Sequence, residues 1–389
     1  MNKKKVCVIT GSRADYGLLK NILKCCVSRS EITLQLIATG MHLSDRYGYT
    51  CTEIEDDGFK INKKIEVVSD SDLPSAISKS IGSGVNSFTD AFVELKPDII
   101  IILGDRYEIF SAAIAAMAMN LPIAHIHGGE LTEGVIDDVI RHSITKLSDL
   151  HFVSTEDYKN RVIQLGEEPK NIFNVGALAL DSMADTTILS KEELLGNLGL
   201  LNNSSLFLVT YHPVTLDLDN SNTSIDELLR ALDEFSDANI IFTGVNSDAS
   251  NSYINKKISK YIESDPQRLK YITNLGQQKY FSVMKYSEVV IGNSSSGIIE
   301  APSFKVPTVN IGIRQNGRIK ANSIIDCVEN KAAIVDAINS AISEDMKETC
   351  SNVVSPYAGP GVSEKIVDTI VNKNLEKIKI KRFYDLKVK

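Results

Sequence analysis

The sequence lacks the positive charge and the long apolar runs of several common protein classes. Its 389 residues include 42 Lys and Arg against 50 Asp and Glu, so the formal net charge is −8. General binders of nucleic acids or membrane surfaces carry an excess of basic side chains, so we expect neither partner. An anionic ligand would need a local pocket. The apolar run at residues 6–10 is too short for a signal peptide, and no run approaches the roughly 20 residues of a membrane span.

The cysteines do not predict a disulfide framework. There are six of them, and no two are spaced C-x-x-C: Cys7, Cys25, Cys26, Cys51, Cys327 and Cys350. Scattered thiols in a chain of this length are typical of a reducing compartment. We therefore predict a soluble, cytoplasmic protein.

Two nucleotide-binding fingerprints are also missing. The sequence has no G-x-x-x-x-G-K-[ST], which excludes a P-loop protein. A partial match to G-x-G-x-x-G at residues 82–87 lies inside a helical pattern and follows no strand, so we interpret it as chance. The strand at 34–39 ends in Ala38-Thr39 and is followed by Gly40, without the acid that holds an adenosine ribose. A dinucleotide-dependent redox enzyme is therefore not expected.

Short apolar, β-rich runs alternate with helical patterns such as 107–119 and 137–147. The runs are VCVIT (6–10), LQLIAT (34–39), DIIIIL (98–103), IAHI (123–126), LHFV (150–153), LFLVT (206–210), NIIFT (239–243), EVVI (288–291) and PTVNI (307–311). Near-continuous apolar strands separated by helices predict parallel sheets covered on both faces. We predict an α/β protein with an N-terminal domain at 1–177, a C-terminal domain at 178–370, and a basic tail at 371–389 that packs back on the first domain.

Polar residues cluster directly after the apolar runs. Examples are GSRADYG (11–17), Gly40-Met41-His42, Gly104-Asp105-Arg106, His127-Gly128-Gly129-Glu130, Tyr211-His212-Pro213, the serines at 294–296, and Gly312-Ile313-Arg314. Ligands of open parallel sheets bind at the carboxyl ends of the strands. Two sheets with such ends predict two domains that face each other across one cleft.

The segment GNSSSGIIEAP at 292–302 follows an apolar strand and opens a helical pattern. Backbone N–H groups and hydroxyls at such a corner suit a phosphate group. The alternative is a helix N-cap with spare serines, because Ser and Asn are favoured caps. Glu300 is unusual beside a phosphate and would instead suit a neutral diol such as a ribose.

Several other side chains are compatible with more than one role. His125, His127 and Glu130 resemble a metal-ligand set, but a buried strand His that hydrogen-bonds a carbonyl is the commoner arrangement. Asp105, after five apolar residues, is a candidate general base; the alternatives are an ion pair with Arg106 or a helix N-cap. Asp137 opens a helix, where it would also complement the dipole. Arg141-His142 is typical of a surface or domain-packing pair.

Seven motifs occur in an order that resembles one family. They are GSRADYG (11–17), GDRYE (104–108), HIHGGE (125–130), DDVIRHSITKLS (137–148), HPVT (212–215), GNSSSGIIEAP (292–302) and NIGIRQNGR (310–318). From about residue 5 to about residue 320, the chain resembles the hydrolysing UDP-N-acetylglucosamine 2-epimerases of bacterial sialic-acid synthesis. The resemblance implies a GT-B-like fold of two Rossmann-type domains with the active site between them. It implies no metal, nicotinamide or other cofactor.

The resemblance also implies a reaction and residue roles. UDP-N-acetylglucosamine and water give N-acetylmannosamine and UDP, by anti elimination to a glycal and then hydration. Asp105 and Asp137 match catalytic carboxylates, and His212 matches an acid or a contact to the leaving phosphate. Arg13 and His42 match substrate contacts, with Arg314 and Arg318 as weaker candidates for the phosphate or sugar side. Ser294, Ser295 and Ser296 match the cradle for the diphosphate, and Glu300 matches the ribose contact.

One position departs from the family pattern. Some members carry an acid where this chain has His127, so either His127 takes the proton-transfer role or Glu130 moves in. This difference also suits a subset acting on UDP-2,4-diacetamido-2,4,6-trideoxy-glucose, in legionaminic-acid synthesis. Two further hypotheses are a GT-B glycosyltransferase and a non-catalytic nucleotide-sugar sensor. The family's role in making sialic acid for capsules or surface polysaccharides, and its assembly as homodimers or homotetramers, are expected here.

Overall fold

The structure, a computed structural model, describes residues 3–45, 48–67, 74–132, 135–200, 204–212, 218–244, 251–273, 275–359 and 361–386. It divides into two units. Unit 1 comprises 1–130, 136–182 and 359–389, and unit 2 comprises 131–135 and 183–358. Each unit is built on one parallel sheet.

Unit 1 contains a seven-stranded sheet in the order β3-β2-β1-β4-β5-β6-β7. Its strands are β1 (Lys4–Thr10), β2 (Ile32–Thr39), β3 (Lys63–Ile65), β4 (Ile99–Leu103), β5 (Ile123–Ile126), β6 (Leu150–Val153) and β7 (Ile172–Asn174). The helices that follow these strands are α1 (Arg13–Ser28), α2 (Cys51–Asp56), α3 (Pro74–Leu95), α4 (Tyr107–Ala118), α5 (Ile136–Leu147) and α6 (Glu156–Gln164). The order is that of a Rossmann sheet with one added strand.

Unit 2 contains a six-stranded sheet in the order β10-β9-β8-β11-β12-β13. Its strands are β8 (Leu206–Thr210), β9 (Asn239–Thr243), β10 (Leu269–Ile272), β11 (Val289–Gly292), β12 (Thr308–Ile311) and β13 (Ile324–Cys327). Helix α7 (Leu178–Asp185) leads into this unit. Its helices are α8 (Lys191–Leu198), α9 (Leu218–Leu232), α10 (Asn251–Ile262), α11 (Gly276–Tyr286), α12 (Ser295–Ile299), α13 (Lys331–Ala341) and α14 (Glu344–Asn352).

The central strands are buried on both faces, which explains their continuous apolar runs. In β1, Val6 and Val8 pack into one hydrophobic cluster of unit 1, and Cys7 and Ile9 pack into another on the opposite face. Successive side chains of a strand point to opposite faces, so one strand contributes to two cores. The strands of unit 2 divide in the same way between two clusters.

The helices begin where short polar side chains can cap them. Ser12 Oγ accepts a hydrogen bond from Asp15 N at 3.2 Å at the start of α1, and Thr155 Oγ1 accepts one from Tyr158 N at 3.2 Å before α6. Asn330 caps α13 in the same manner. These caps satisfy N–H groups that have no partner within the helix.

The end of the chain belongs to unit 1. Helices α15 (Val362–Asn372) and α16 (Leu375–Ile378) lie there, and α15 packs on α1. The sequence-based division placed 178–182 and 359–370 in the C-terminal domain, whereas both segments belong to unit 1. The difference has a physical reason: the Asp181 carboxylate accepts a hydrogen bond from Val362 N at 2.8 Å and so caps α15. This contact joins sequence-distant segments, which no local pattern reveals.

The two-sheet α/β, GT-B-like fold class predicted from the sequence is confirmed. Residues 82–87, interpreted above as a chance glycine pattern, lie within α3. A Cβ at Gly84 would lie only 2.8 Å from Ser111 Oγ, so this glycine permits close helix packing. Within the ranges that the structure describes, no helix is long and apolar enough to cross a membrane.

Candidate active site

The predicted site residues of unit 1 follow β1, β2, β4 and β5 at the carboxyl edge of its sheet. The chain leaves β1 toward β2 on one side and later enters β4 on the other, so β1 and β4 flank the point where the strand order reverses. Loops after these two strands diverge there and leave a crevice. The segments beginning at Gly11 and Gly104 are therefore placed where this fold binds ligands.

Asp105 is held by a buried arginine from α5. The Arg141 guanidinium contacts Asp105 Oδ2 through Nη2, and its Nη1 donates to Glu130 O at 2.9 Å. Arg141 is only 4% exposed. The first of the two sequence-based alternatives for Arg141, a surface residue, was therefore wrong, and so was the pairing of Asp105 with Arg106. One guanidinium instead fixes the Asp105 side chain and the Glu130 backbone together.

His127 and Glu130 form a pair at the end of β5. His127 Nδ1 lies 3.1 Å from Glu130 Oε1, and Ser154 Oγ donates to the same oxygen at 3.1 Å. Glu130 and Ser154 are both buried. His127 Nε2 is buried and has no hydrogen-bond partner among the described residues. An orphaned ring nitrogen of this kind is a frequent mark of a functional site.

Arg106, Glu108 and Asp15 form a second charged cluster near Asp105. Arg106 Nε donates to Glu108 Oε1 at 2.7 Å, and the Glu108 side chain is fully buried. Burial raises the pKa of Asp15 to about 6, against the opposing charge of Arg106. Asp15 Oδ2 is a buried oxygen without a partner in the described part of the chain. A carboxyl group that titrates near neutrality suits proton transfer.

Asp137 lies in the first turn of α5 and is half-buried. Its charge helps to raise the pKa of Arg106, after Glu108, which is the main cause. Asp137 is therefore electrostatically joined to the cluster around Arg106. In its neighbour Asp138, Oδ1 instead lies 3.4 Å from Arg141 Nη1, and Oδ2 lies 3.6 Å from His142 Nε2.

Arg13 and His42, the two predicted substrate contacts of unit 1, already have protein partners. Arg13 Nε donates to Glu53 Oε2 at 2.7 Å, and both side chains remain partly exposed. His42 Nε2 lies 3.0 Å from Thr10 Oγ1, and Nδ1 lies 2.7 Å from Thr50 Oγ1. Burial lowers the pKa of His42 to about 4, so the ring is neutral at pH 7. A direct substrate contact stays a prediction for both residues.

His125 is a structural histidine rather than a member of a metal-ligand set. Its Nε2 lies 2.8 Å from Gly104 O, and burial lowers its pKa to about 3. This is the buried strand histidine, bonded to a carbonyl, that the sequence left open as the alternative. Among the residues the structure describes, no group of three or more His, Cys, Asp and Glu side chains is arranged to hold a metal ion.

In unit 2, His212 and Asn293 connect the ends of two neighbouring strands. His212 N donates to Asn293 Oδ1 at 2.7 Å, and Asn293 Nδ2 donates back to His212 O at 2.8 Å. Burial, and then the charge of Arg314, lower the pKa of His212 well below its usual value. The ring is therefore neutral, and it can donate or accept a hydrogen bond without carrying charge. The rest of the HPVT motif lies outside the described residues.

The serine corner follows β11 as the sequence predicts, although its helix is short. Ser294 caps α12, and its Oγ accepts from Ser296 N at 3.4 Å. Because α12 has five residues, its dipole is small, and hydroxyls and backbone N–H groups would have to hold an anion. Gly292 has φ +131°, and a Cβ there would lie 2.0 Å from Thr210 O. Only glycine permits this close approach of the two strand ends.

Tyr280 and Glu300 extend this corner. Burial, and then the charge of Glu300, raise the pKa of Tyr280, while the side chains of Ser296 and Thr210 act in the opposite direction. The side chains of Arg314 and Gln315 both donate to Asn293 O, at 3.0 and 2.8 Å. Arg314 and the serine corner are thus fixed to the same segment. Arg318 directly follows Gly317, which has φ +78°, and is half-buried.

Sequence reasoning missed five side chains of these clusters: Asp15, Glu108, Arg141, Ser154 and Tyr280. Asp15, Glu108 and Arg141 lie inside quoted motifs, so their charge in an apolar context was the available signal. Ser154 directly follows β6 at the same sheet edge as Glu130. Tyr280 lies within α11 and carries no local signal.

The fold and the two clusters define a class of protein. Two Rossmann-like sheets, one with acid–base groups and one with a serine corner beside a basic side chain, make a GT-B-like protein. A family profile described as UDP-N-acetylglucosamine 2-epimerase matches residues 24–371. The chain belongs to this family.

Similar proteins support the assignment. The chain is 43% identical to a GDP/UDP-N,N'-diacetylbacillosamine 2-epimerase (hydrolyzing) of Campylobacter jejuni, covering 99% of this chain and 100% of the relative. It is 42% identical to a polysialic acid biosynthesis protein of Escherichia coli, covering 98% of each. The crystal structure of the Neisseria meningitidis UDP-GlcNAc 2-epimerase bound to UDP-GlcNAc has a TM-score of 0.80 at 18% identity, covering 95% of this chain and 100% of that one. The last comparison concerns the fold alone.

Proposed function

We propose that this protein is a hydrolysing 2-epimerase that converts UDP-N-acetylglucosamine and water to N-acetylmannosamine and UDP. The observation that carries the proposal is the set of proton-transfer groups at one sheet edge of unit 1. Arg141 joins Asp105 to the backbone of Glu130, which pairs with His127. A binding protein has no need of this arrangement.

The chemistry requires such groups because the C2 proton of the sugar is poorly acidic. If the UDP group leaves C1 as the proton leaves C2, no full carbanion forms, and the product is a glycal. Hydration then restores C2 with the opposite configuration. Proton removal and proton return therefore occur on opposite faces of C2, which requires two proton-transfer groups. We propose that His127, Asp105 and Asp137 supply them.

Unit 2 supplies the proposed contacts to UDP. The hydroxyls of Ser294, Ser295 and Ser296 would hold the diphosphate, together with Arg314, and Glu300 would accept from the ribose hydroxyls. His212 is neutral and buried, so it would donate a hydrogen bond to the leaving diphosphate. Donors placed where charge develops stabilise a transition state more than a ground state. Arg13 and His42 are proposed as further substrate contacts in unit 1.

A second candidate substrate is UDP-N,N'-diacetylbacillosamine, the 2,4-diacetamido-2,4,6-trideoxy sugar. The relative with 43% identity carries that substrate in its name, whereas the Escherichia coli relative is named for polysialic acid. The two substrates share UDP and the 2-acetamido group and differ at C4 and C6. Both are therefore compatible with the same residues at C2.

We further propose that the reaction is the first step of sialic-acid synthesis, in the cytoplasm, by a homodimer or homotetramer without a cofactor. A GT-B glycosyltransferase is the remaining enzymatic alternative. It would also bind UDP, but it would need an acceptor and would not exchange the C2 proton with solvent.

The test is to incubate the purified protein with UDP-N-acetylglucosamine in D₂O and to follow the reaction by proton NMR. We expect UDP and N-acetylmannosamine that carries deuterium at C2. A parallel sample contains UDP-N,N'-diacetylbacillosamine. Turnover of only the second sugar would support the proposed reaction but replace the proposed substrate. No UDP release and no deuterium incorporation from either sugar would contradict the proposed function.

A further inference from the structure

We infer that His127 Nε2 is the base that removes the C2 proton, and that Glu130 and Ser154 are positioning residues that hold this histidine ready. The inference rests on the proposed function and assigns roles within it. It concerns a position where this chain has a histidine and some members of the family have an acid.

The geometry fixes which ring nitrogen carries the proton. Glu130 Oε1 lies 3.1 Å from His127 Nδ1. A carboxylate can only accept, so Nδ1 must donate and therefore carries the hydrogen. The lone pair is left on Nε2, which has no partner among the described residues. A second-sphere carboxylate that selects the tautomer is a common way to prepare a functional histidine.

Glu130 is itself held on two sides, which makes it a support rather than a base. Ser154 Oγ donates to Oε1 at 3.1 Å, and Arg141 Nη1 donates to the backbone oxygen at 2.9 Å. The residue is 3% exposed. Glu130 Oε1 thus accepts hydrogen bonds from His127 Nδ1 and Ser154 Oγ. The adjacent carboxylate would stabilise the imidazolium that forms during catalysis.

The backbone supports the same conclusion. His127 has φ +65°, in the left-handed region that non-glycine residues rarely adopt. Its N–H donates to Phe152 O at 2.9 Å, which ties the residue to the end of β6. Gly128 and Gly129 follow His127, and the turn could also accommodate a glycine at position 127 itself, so the backbone does not require a histidine there. A side chain retained in a strained conformation, with its ring held by a buried carboxylate, indicates that the imidazole itself is needed.

Asp105 is the competing base, and its contacts differ. Its Oδ2 is engaged by the buried Arg141 guanidinium. His127 Nε2 is unpartnered in the described structure. This contrast favours His127 for proton removal and leaves a carboxyl group for proton return on the opposite face of C2.

In the elimination step, the Nε2 lone pair takes the proton from C2. The two electrons of the C2–H bond form the C1=C2 π bond, and the electrons of the C1–O bond leave with the β-phosphate oxygen of UDP. In the hydration step, the oxygen of water bonds to C1. A carboxyl group delivers a proton to the opposite face of C2 and recovers one from the water, while the imidazolium returns its proton to solvent.

The test uses His127→Gly with added imidazole. Glycine suits φ +65°, so the variant is expected to fold, and it leaves space for a free imidazole. We expect the rate of UDP release to fall by about 10²–10⁴-fold, the usual contribution of a general base. Added imidazole should raise the rate of UDP release by this variant at least about tenfold. The matched control is Lys96→Gly, which also replaces a positive-φ residue, φ 48°, and should leave the rate unchanged.

The positioning roles have their own readouts. Glu130→Gln should lower kcat by about tenfold to hundredfold, with KM changed less than about twofold. Ser154→Ala should lower kcat by a smaller factor in the same direction. In the double variant His127→Gly, Glu130→Gln, the increase in rate that imidazole produces should be at least about tenfold smaller than in His127→Gly. The reason is that no carboxylate orients the free base. A merely structural role for Glu130 would lower thermal stability without changing the rescue.

Three results would overturn the inference while leaving the proposed function intact. The first is a His127→Gly variant that keeps most of the wild-type rate. The second is a folded but inactive His127→Gly variant that imidazole does not rescue. The third is an undiminished rescue in the double variant. A wild-type protein that processes neither nucleotide sugar would overturn the proposed function and this inference together.

Discussion

Arg141 and Asp105 form an ion pair at the carboxyl edge of the first sheet, and the same guanidinium donates to Glu130 O. The pair joins helix α5 to the loop after β4. Because the arginine is buried, its loss would leave an uncompensated carboxylate beside the proposed proton-transfer groups.

Arg141→Lys tests this relationship. Lysine keeps the charge but cannot contact two acceptors with the planar fork of a guanidinium. We expect kcat to fall by about 10²-fold and the free energy of unfolding to fall by about 2–3 kcal/mol. The measurements are steady-state UDP release and denaturant unfolding. Arg230→Lys, at an exposed pair with Glu227, is the control, and equal behaviour of the two variants would contradict the role of Arg141.

Asp105→Asn separates catalysis from nucleotide binding. We expect turnover to fall by at least about 10²-fold, because the amide can neither give nor take the proton. The Kd for UDP, measured by calorimetry, should change less than about twofold, about 0.4 kcal/mol. Asp98→Asn is the matched control, because Asp98 directly precedes β4 and so lies at the amino ends of the strands of the same sheet. Unchanged product formation by Asp105→Asn would show that the carboxylate has no catalytic role.

Tyr280→Phe tests the serine corner of unit 2. The variant removes the hydroxyl whose pKa responds to Ser296, Thr210 and Glu300 while it retains the ring. If this hydroxyl supports the corner through one hydrogen bond, its loss costs about 1 kcal/mol, so we expect the Kd for UDP to rise by roughly fivefold, with kcat nearly unchanged. Tyr271→Phe, whose hydroxyl donates to Asn255 in the same unit, is the control. An equal change in both variants would indicate a general loosening of unit 2.

Asp15 should make the protein less stable as the pH rises. Burial raises the pKa of Asp15 to about 6, above the unfolded value of about 3.9. Between about pH 4 and 6 the folded state therefore binds more protons than the unfolded state, and the free energy of unfolding falls as pH increases. Asp15→Asn removes this penalty. We expect it to gain about 2 kcal/mol relative to wild type at pH 7 and nothing at pH 4. Parallel stability curves of the two proteins across this range would refute the assignment.

The C-terminal tail should be held by one buried carboxylate. Glu167 Oε2 lies 2.8 Å from Lys381 Nζ and 3.0 Å from His151 Nε2, and Oε1 lies 2.6 Å from Lys146 Nζ. Burial alone would raise the pKa of Glu167, but these partners outweigh it and lower the pKa to about 2. The stability from this cluster is present above about pH 4.5 and is lost as the pH falls toward 2.

Lys381→Met tests the tail cluster. It should cost about 1–2 kcal/mol of unfolding free energy at pH 7, less than the loss of a whole buried pair because Lys146 and His151 still contact Glu167, and much less at pH 2. The measurement is denaturant unfolding at both pH values. Lys379→Met is the control, because its partner Glu376 is largely exposed, and such pairs contribute about 1 kcal/mol or less. A pH-independent loss in Lys381→Met would mean that packing, rather than charge, holds the tail.

The strands that were predicted from the sequence are more deeply buried than those that were not predicted. The nine apolar runs found from the sequence correspond to β1, β2, β4, β5, β6, β8, β9, β11 and β12. The four strands that it missed are β3, β7, β10 and β13, which lie at the edges of the two sheets. An edge strand is less buried and can carry polar side chains, as in the KKI of β3. Its pattern therefore resembles that of a loop.

The sequence alone determined the class of the fold and the side of each sheet on which the polar residues of the proposed site lie. Buried parallel strands require continuous apolar runs, and the turns after them hold the polar residues, so both can be read locally. The tertiary structure decided which charges meet. Arg141 pairs with Asp105 across 36 positions, Ser154 supports Glu130 across 24, and Asp181 caps a helix 181 positions away. Such partners are chosen by packing between distant elements, which has no signature in the spacing of residues along the chain.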